Sequence, residues 1–163
     1  MFETIPYNRI AAAEYAKNWA FKRNPAFYDF SDIGGDCTNY ISQCIYAGCP
    51  YMNYSGDTGW YYISPDSRSA AWSGVDFFYN FAVSNKGAGF FGRLGGIEEM
   101  AVGDIIQLGN SENRYYHTLF VCGFTPRDIL VAAHSFDAYM HPLSSYHYSV
   151  IRCIKILGGR KPV

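Results

Sequence analysis

The sequence predicts an α+β domain in which helices near the N-terminus pack on an antiparallel sheet. Two patterns carry this prediction: apolar residues recur at helical spacing in the first half, and short apolar runs separated by turn residues occupy 105–156. Helices followed by strands, without regular alternation of the two, are typical of α+β domains. A length of 163 residues fits one domain with its own core. We therefore expect residues 1–163 to form a single domain.

Three helices are predicted in order along the first half. The first covers 8–23, where alanines give high helix propensity and Pro25 stops the chain. The second covers 37–47 and is followed by a glycine suited to a helix end. The third opens at a capping-box sequence with Asp in place of Glu and covers 73–83. The intervening segment 51–72 lacks periodicity, and a connection of this length is often functional.

The second half predicts a sheet of four strands. Each strand is a short apolar run bounded by turn residues, and the runs are 105–108, 118–124, 129–133 and 150–156. The glycine-rich segment 87–96 is predicted to be a flexible loop, and 97–100 a single helical turn.

Composition excludes several classes of protein. The formal net charge is −1, so there is no basic surface typical of nucleic-acid binding. No apolar run reaches the length of about 18 residues that a membrane span needs. Fifteen tyrosines and an aromatic content of 18% suggest an aromatic-lined cleft, for which the 51–72 segment offers Trp60, Tyr61, Tyr62 and Trp72.

The chain has five cysteines, and they do not form a disulfide or zinc pattern. They are Cys37, Cys44, Cys49, Cys122 and Cys153. An odd number cannot pair completely within one chain, and no CxxC spacing occurs, so we expect no metal site. Cys44, Cys122 and Cys153 lie in apolar patterns and are interpreted as small buried hydrophobic residues.

Cys37 differs from the others because it occupies the first position of the second predicted helix, after Gly34, Gly35 and Asp36. The first-turn N–H groups of a helix have no intrahelical acceptors, and with the helix dipole they favour negative charge. A cysteine in such a field loses its proton more easily. We therefore predict that Cys37 is a thiolate nucleophile.

A cysteine nucleophile needs a base and a group that orients the base. His117 is the predicted base because it stands where a strand begins. His134 follows at the end of the next strand, so a hairpin would set the two histidines side by side. Asp137 is an alternative orienting group and the more conventional acceptor, and Ser135 is a weaker one.

The oxyanion formed during acyl transfer needs preorganised donors. The backbone N–H of Cys37 is one. The second could come from Asn24, Tyr28 or Asn39, and the sequence leaves this choice open.

Four further polar residues are interpreted as structural. His141 and His147 lie in a segment rich in Pro, Ser and Tyr and are read as surface residues, Asp36 as a helix cap, and Asp104 as a turn residue.

Several blocks of the chain resemble a known family. The cysteine block from Gly34 to Gln43 is the most specific, and it is joined by the segments 8–16, 23–25, 28–30, 59–62, 72–75 and 103–107 and by His117-Thr118. Together they resemble the bacterial putative amidase domain, which is similar in turn to papain-like cell-wall amidases and peptidases of the CHAP and NlpC types. The resemblance implies a papain-like fold, Cys37 as nucleophile, His117 as base and His134 as the orienting residue.

The resemblance and the residues together predict a thiol amidohydrolase that cleaves an amide or peptide bond in peptidoglycan or a wall-derived peptide. Two alternatives are an acyltransferase or transpeptidase with the same nucleophile, and a wall-binding module without catalysis. We expect a monomer that needs no cofactor. The N-terminus lacks the features of a signal peptide. The expected location is secreted or wall-associated if the chain is cut from a longer precursor, and cytoplasmic otherwise.

Overall fold

The computed structural model describes all residues from Met1 to Val163 and has the predicted α+β architecture. Its helices are α1 Arg9–Trp19, α2 Cys37–Gly48, α3 Ala70–Ser73 and α4 Val75–Ser84. Its strands are β1 Phe2–Ile5, β2 Tyr62–Ser64, β3 Ser67–Arg68, β4 Gly89–Gly95, β5 Ile105–Gly109, β6 Tyr115–Thr125, β7 Asp128–Ala133, β8 Ala138–Pro142 and β9 Val150–Pro162.

The main sheet has seven antiparallel strands in the order β1-β9-β5-β6-β7-β8, with β4 also paired to β9. Strands β2 and β3 form a separate small ribbon. In the centre of the main sheet, Gln107 of β5 pairs with Thr118 of β6 and, on its other side, with Arg152 of β9. The four predicted strands are confirmed as β5, β6, β7 and the first half of β9.

Three strands of the main sheet, β1, β4 and β8, were not predicted. The expectation of a flexible glycine-rich loop is wrong, because most of that segment forms β4 and pairs with β9. Glycine is needed where this pairing is tight: a Cβ on Gly92 would lie 2.4 Å from the carbonyl oxygen of Lys155. Pairing with both β1 and β4 also extends β9 as far as Pro162.

The helices begin close to the predicted positions but differ at their ends. Helix α1 is capped by Asn8, whose side chain accepts from the N–H of Ala11, and it ends at Trp19 rather than at residue 23. The predicted capping box does not form, because Gly74 is the N-cap of α4 and the Asp76 carboxylate instead pairs with Arg152 at 2.7 Å.

Helix α2 packs on one face of the sheet and is almost wholly buried. The larger of two hydrophobic clusters fills this face, and it includes Ile41, Ile45 and Phe120. The other face carries a second cluster with Leu119 and Val121, as expected from the alternation of side chains along β6. This arrangement brings the N-terminus of α2 against the start of β6.

Candidate active site

A cavity of about 560 Å³ opens at the N-terminus of α2. Cys37, the first residue of α2, and His117, near the start of β6, both line it. The structure therefore brings the predicted nucleophile and the predicted base to one cavity. No hydrogen bond joins the two side chains, and the distance between such groups in a ligand-free enzyme often shortens only when substrate binds.

Cys37 is 8% exposed, and its surroundings oppose ionisation. Burial raises the pKa of the thiol, and this outweighs the N–H of Thr118 and the hydroxyl and N–H of Thr38, which lower it. The neighbouring Asp36 carboxylate raises it further. Burial therefore opposes the resting thiolate that the sequence predicted, because desolvation disfavours a charged sulfur.

His117 is held as a neutral imidazole. It is 9% exposed, and burial lowers its pKa to about 4. Neither ring nitrogen makes a hydrogen bond to protein. Every side-chain nitrogen or oxygen that is sealed from solvent in this structure does have a hydrogen-bond partner. Both nitrogens therefore reach solvent in the cavity. The neighbouring ring is Tyr146, with 5.8 Å between the ring centroids.

His134 does not lie beside His117, so the predicted orienting contact is absent. Its Nδ1 is 2.6 Å from Asp36 Oδ2, and its Nε2 is 2.7 Å from the carbonyl oxygen of Trp19. The reason is strand alternation: Phe120 pairs with Ala132, which places His134 on the α2 face of the sheet. His117 is an odd number of residues from Phe120, and its side chain therefore faces the other way.

Asp137, the alternative orienting group, is also engaged elsewhere. Both of its oxygens accept from the Arg23 guanidinium, at 2.9 and 3.0 Å. Ser135 does line the cavity, and its Oγ accepts from the backbone N–H of Asp36 at 3.2 Å.

The three proposed oxyanion side chains lie away from the cavity. The Asn24 amide donates to the Tyr15 hydroxyl at 3.1 Å, and the Asn39 amide donates to the carbonyl of Tyr28 at 2.9 Å. The half-exposed side chain of Tyr28 packs on its own connecting segment.

Two further donors belong to residues that line the cavity beside the start of α2. The N–H of Cys37, as the first residue of α2, has no intrahelical acceptor. The Ser135 hydroxyl accepts from the backbone N–H of Asp36 and keeps its own proton free to donate. These two groups are candidate donors to an oxyanion.

Residues 6–156 match the family described as "Putative amidase domain". The chain belongs to this family. The matched span includes every residue of the cavity, and the family assignment indicates an amidase-type hydrolase.

The amidase-family chain is also similar to a curated protein, the uncharacterized protein YhbB of Bacillus subtilis (strain 168). The two are 33% identical over 138 residues, which cover 82% of this chain and 43% of that protein. The chain thus spans less than half the length of this relative. No solved structure matches the chain.

The aromatic segment of this amidase-family domain does not line the cavity, contrary to the sequence-based expectation. Trp60 and Trp72 are fully buried, and each indole N–H donates to a side chain of α2. Tyr62 is buried in the same cluster, and Tyr61 packs against Tyr54. The segment therefore supports α2 from behind and holds its N-terminus against the sheet.

His141 and His147 were read as surface residues, but both line the Cys37 cavity. They are exposed, as expected, yet β8 and the segment after it return them to the cavity mouth. Tyr116 connects this mouth to β6, since its hydroxyl donates to the carbonyl of His147 at 2.9 Å. The position of the two histidines near the cavity depends on the pairing of β8 with β7, which the sequence did not reveal.

Asp36 and Asp104 lie at the predicted cap and turn positions, but their side chains have other partners. Asp36 is the N-cap residue of α2, but its side chain makes no capping bond. Asp104 closes a turn, since its N–H donates to the carbonyl of Ala101 at 3.0 Å, and its fully buried carboxylate also pairs with Arg9 at 2.9 Å and Lys155 at 2.8 Å.

No three histidine, cysteine, aspartate or glutamate side chains are grouped so that they could hold a metal ion, and all five cysteines are free. None of the helices has the length and apolar character needed to cross a membrane.

Proposed function

We propose that this chain is a thiol-dependent amidohydrolase in which Cys37 is the nucleophile and His117 the general base. The observation that supports it most directly is the shared cavity, which holds a cysteine at a helix N-terminus and a buried imidazole within one concave site. The family assignment supplies the reaction class.

The resting pair in this mechanism is a neutral thiol and a neutral imidazole. Burial raises the pKa of Cys37 and lowers that of His117 to about 4, and both changes disfavour a preformed ion pair. His117 therefore takes the Cys37 proton as Sγ attacks the amide carbonyl, and then returns it to the leaving amine. Water attacks the resulting thioester, with His117 again as base, and a carboxylic acid is released.

The developing oxyanion would be stabilised by the Cys37 N–H and the Ser135 hydroxyl. Such donors are effective because they are fixed in place before charge develops. The Asp36 N–H holds Ser135 Oγ, so the hydroxyl is positioned without substrate.

The proposed substrate is an amide or peptide bond in peptidoglycan or a wall-derived peptide. This choice rests on the resemblance of the cysteine block to cell-wall amidases. The cavity wall suits a polar peptide, since histidines, serines and tyrosines contribute most of its side chains and no carboxylate, lysine or arginine lines it.

The test is digestion of purified peptidoglycan and its peptides by the wild-type chain and by Cys37→Ala, with products read by mass spectrometry. We expect cleavage by wild type only. Cys122→Ser is the matched control, since Cys122 is a free thiol away from the cavity and this variant should cleave normally. Cleavage by a folded Cys37→Ala would rule out the mechanism. Fragment binding without cleavage would favour the wall-binding module, and product joined to an added amine would favour acyl transfer.

A further inference from the structure

His134 lies behind the start of α2 with both ring nitrogens directed at acceptors. Nδ1 is 2.6 Å from Asp36 Oδ2, and Nε2 is 2.7 Å from the carbonyl oxygen of Trp19. A carbonyl oxygen can only accept, so the shorter contact of Nε2, to Trp19, requires a proton on Nε2, and Arg23 at 3.2 Å from this nitrogen is then a charged neighbour and not a donor to it. An ionised carboxylate can only accept, so Nδ1 carries a proton too. His134 is 1% exposed, which leaves no room for water to serve as an alternative partner. The geometry is that of an imidazolium.

The Asp36 carboxylate is held by further donors. Its Oδ1 accepts from the backbone N–H of Phe30 at 2.8 Å and from the Asn39 amide at 2.9 Å. Hydrogen bonds of this kind stabilise the charged form of a carboxyl group. Asp36 and His134 therefore form a buried, hydrogen-bonded ion pair.

Charged groups surround this pair on the side of the connecting segments. The Arg23 guanidinium has Nη1 3.2 Å from His134 Nε2 and Nε 3.7 Å from Asp36 Oδ2. Arg23 is itself paired with Asp137 at 2.9 Å and Asp29 at 3.3 Å. With His134 protonated, this cluster has two cations against three carboxylates, whereas a neutral His134 would leave one cation against three.

The neighbours contributed by the helices are uncharged. Tyr40 of α2 stacks on the His134 ring at a centroid distance of 4.0 Å. Tyr15 of α1 also faces Asp36, and burial raises the pKa of its phenol well above the physiological range. Cys44 of α2 and Cys122 of β6 also lie near Tyr40, and burial raises the pKa of both thiols, so both are uncharged at neutral pH.

Asp36 immediately precedes Cys37, so its negative charge acts at short range on the sulfur, and this charge raises the pKa of the thiol. We propose that His134 is a positioning residue whose positive charge partly offsets that of Asp36 and so limits how strongly the carboxylate opposes the development of negative charge on Cys37. The inference rests on the proposed role of Cys37 as nucleophile. His134 then does not orient His117, as the sequence predicted, but acts electrostatically through Asp36.

The test is the rate of Cys37 alkylation by iodoacetamide as a function of pH, read by peptide mass spectrometry. In His134→Gln the Asp36 charge is no longer balanced, and we expect the alkylation midpoint to rise by roughly one pH unit, a typical effect of a nearby like charge. In Asp36→Asn/His134→Gln the pair is again neutral, and the midpoint should return to the wild-type value. A purely structural role predicts no such recovery.

Two results would overturn the inference: an unchanged midpoint in His134→Gln, or a double variant that stays at the raised value. If His134→Gln does not fold, the ring protonation of wild-type His134 is measured by ¹⁵N NMR at neutral pH. Two ring N–H protons support the inference, and one overturns it. Alkylation needs no substrate, so a failure of the proposed amidase activity is distinguishable from a failure of this inference.

Discussion

The hydroxyl oxygens of Thr38 and Thr118 lie 2.9 Å apart and join the first turn of α2 to β6. Each threonine is the residue that follows a proposed catalytic residue, Cys37 or His117. Thr118 Oγ1 also accepts from the Gln107 amide at 3.2 Å, so the link continues into β5. This buried contact sets the separation between nucleophile and base.

The first prediction concerns this contact. Thr118→Val removes the oxygen partner of the Thr38 hydroxyl and one of the two acceptors of the Gln107 amide, which still donates to the carbonyl of Val75. An unsatisfied buried polar group costs about 1–3 kcal/mol. We expect a loss of that size in the free energy of urea unfolding and a lower kcat for the proposed hydrolysis. Thr58→Val is the control, since Thr58 is exposed and distant from the cavity. Equal stability of Thr118→Val and wild type would contradict a stabilising role for the contact between Thr38 and Thr118.

The second prediction concerns pH. His117 can act as base only when neutral, and its pKa lies at about 4 because of burial. We expect kcat/KM to rise with pH through about 4 and then to level off, rather than to rise near the ordinary histidine value of about 6.5. A pH–rate profile of wild type measures this, with His117→Ala expected to be inactive throughout. A rise of kcat/KM with a midpoint near pH 6.5 would contradict the proposal that His117 is a buried, neutral base.

The same group affects stability. The unfolded chain protonates His117 near pH 6.5, whereas the folded chain does so only near 4, so the unfolded state binds more protons between these values. The stability that His117 contributes is therefore present above about pH 6.5 and falls as the pH drops toward 4. In urea unfolding, the free energy of unfolding of His117→Gln should fall less between about pH 6.5 and 4 than that of wild type. Parallel curves for the two proteins would contradict the prediction.

The fourth prediction concerns Asp104, which lies outside the cavity. Its buried carboxylate pairs with Arg9 and Lys155, and removing one partner of a buried pair costs about 3–5 kcal/mol. We expect Asp104→Asn to lower the free energy of unfolding by this order. Asp76→Asn is the matched control, because the Asp76 carboxylate is 65% exposed and its pair with Arg152 should contribute no more than about 1 kcal/mol. Similar losses of unfolding free energy in Asp104→Asn and Asp76→Asn would contradict the prediction that burial of the carboxylate determines the size of the loss.

The sequence predicted those parts of the site that depend on local pattern. The start of α2 at Cys37 follows from the glycines and Asp36 before it, and the position of His117 in β6 follows from the apolar run after it. These signals lie within a few residues of the side chains that they position. The family resemblance pointed to the same two residues.

The rest depends on contacts between distant segments. β4 reads as a loop because its glycines lack strand propensity, yet the close approach of β9 requires them. His134 was placed beside His117 by its position in a hairpin, but the register of β6 and β7 puts the two on opposite faces. The burial of Trp60 and Trp72 depends on packing behind α2, for which the segment 51–72 carries no periodic signal.

The last prediction concerns the mouth of the cavity, where His141 and His147 lie. Both are exposed and neither contacts Cys37, so they are placed to bind substrate rather than to take part in bond cleavage. We expect His141→Gln and His147→Gln to raise KM with little change in kcat, since they remove contacts that are equal in the ground and transition states. Steady-state kinetics on a cleaved wall peptide measures this. A fall in kcat at constant KM would instead place one of these histidines in the chemical step.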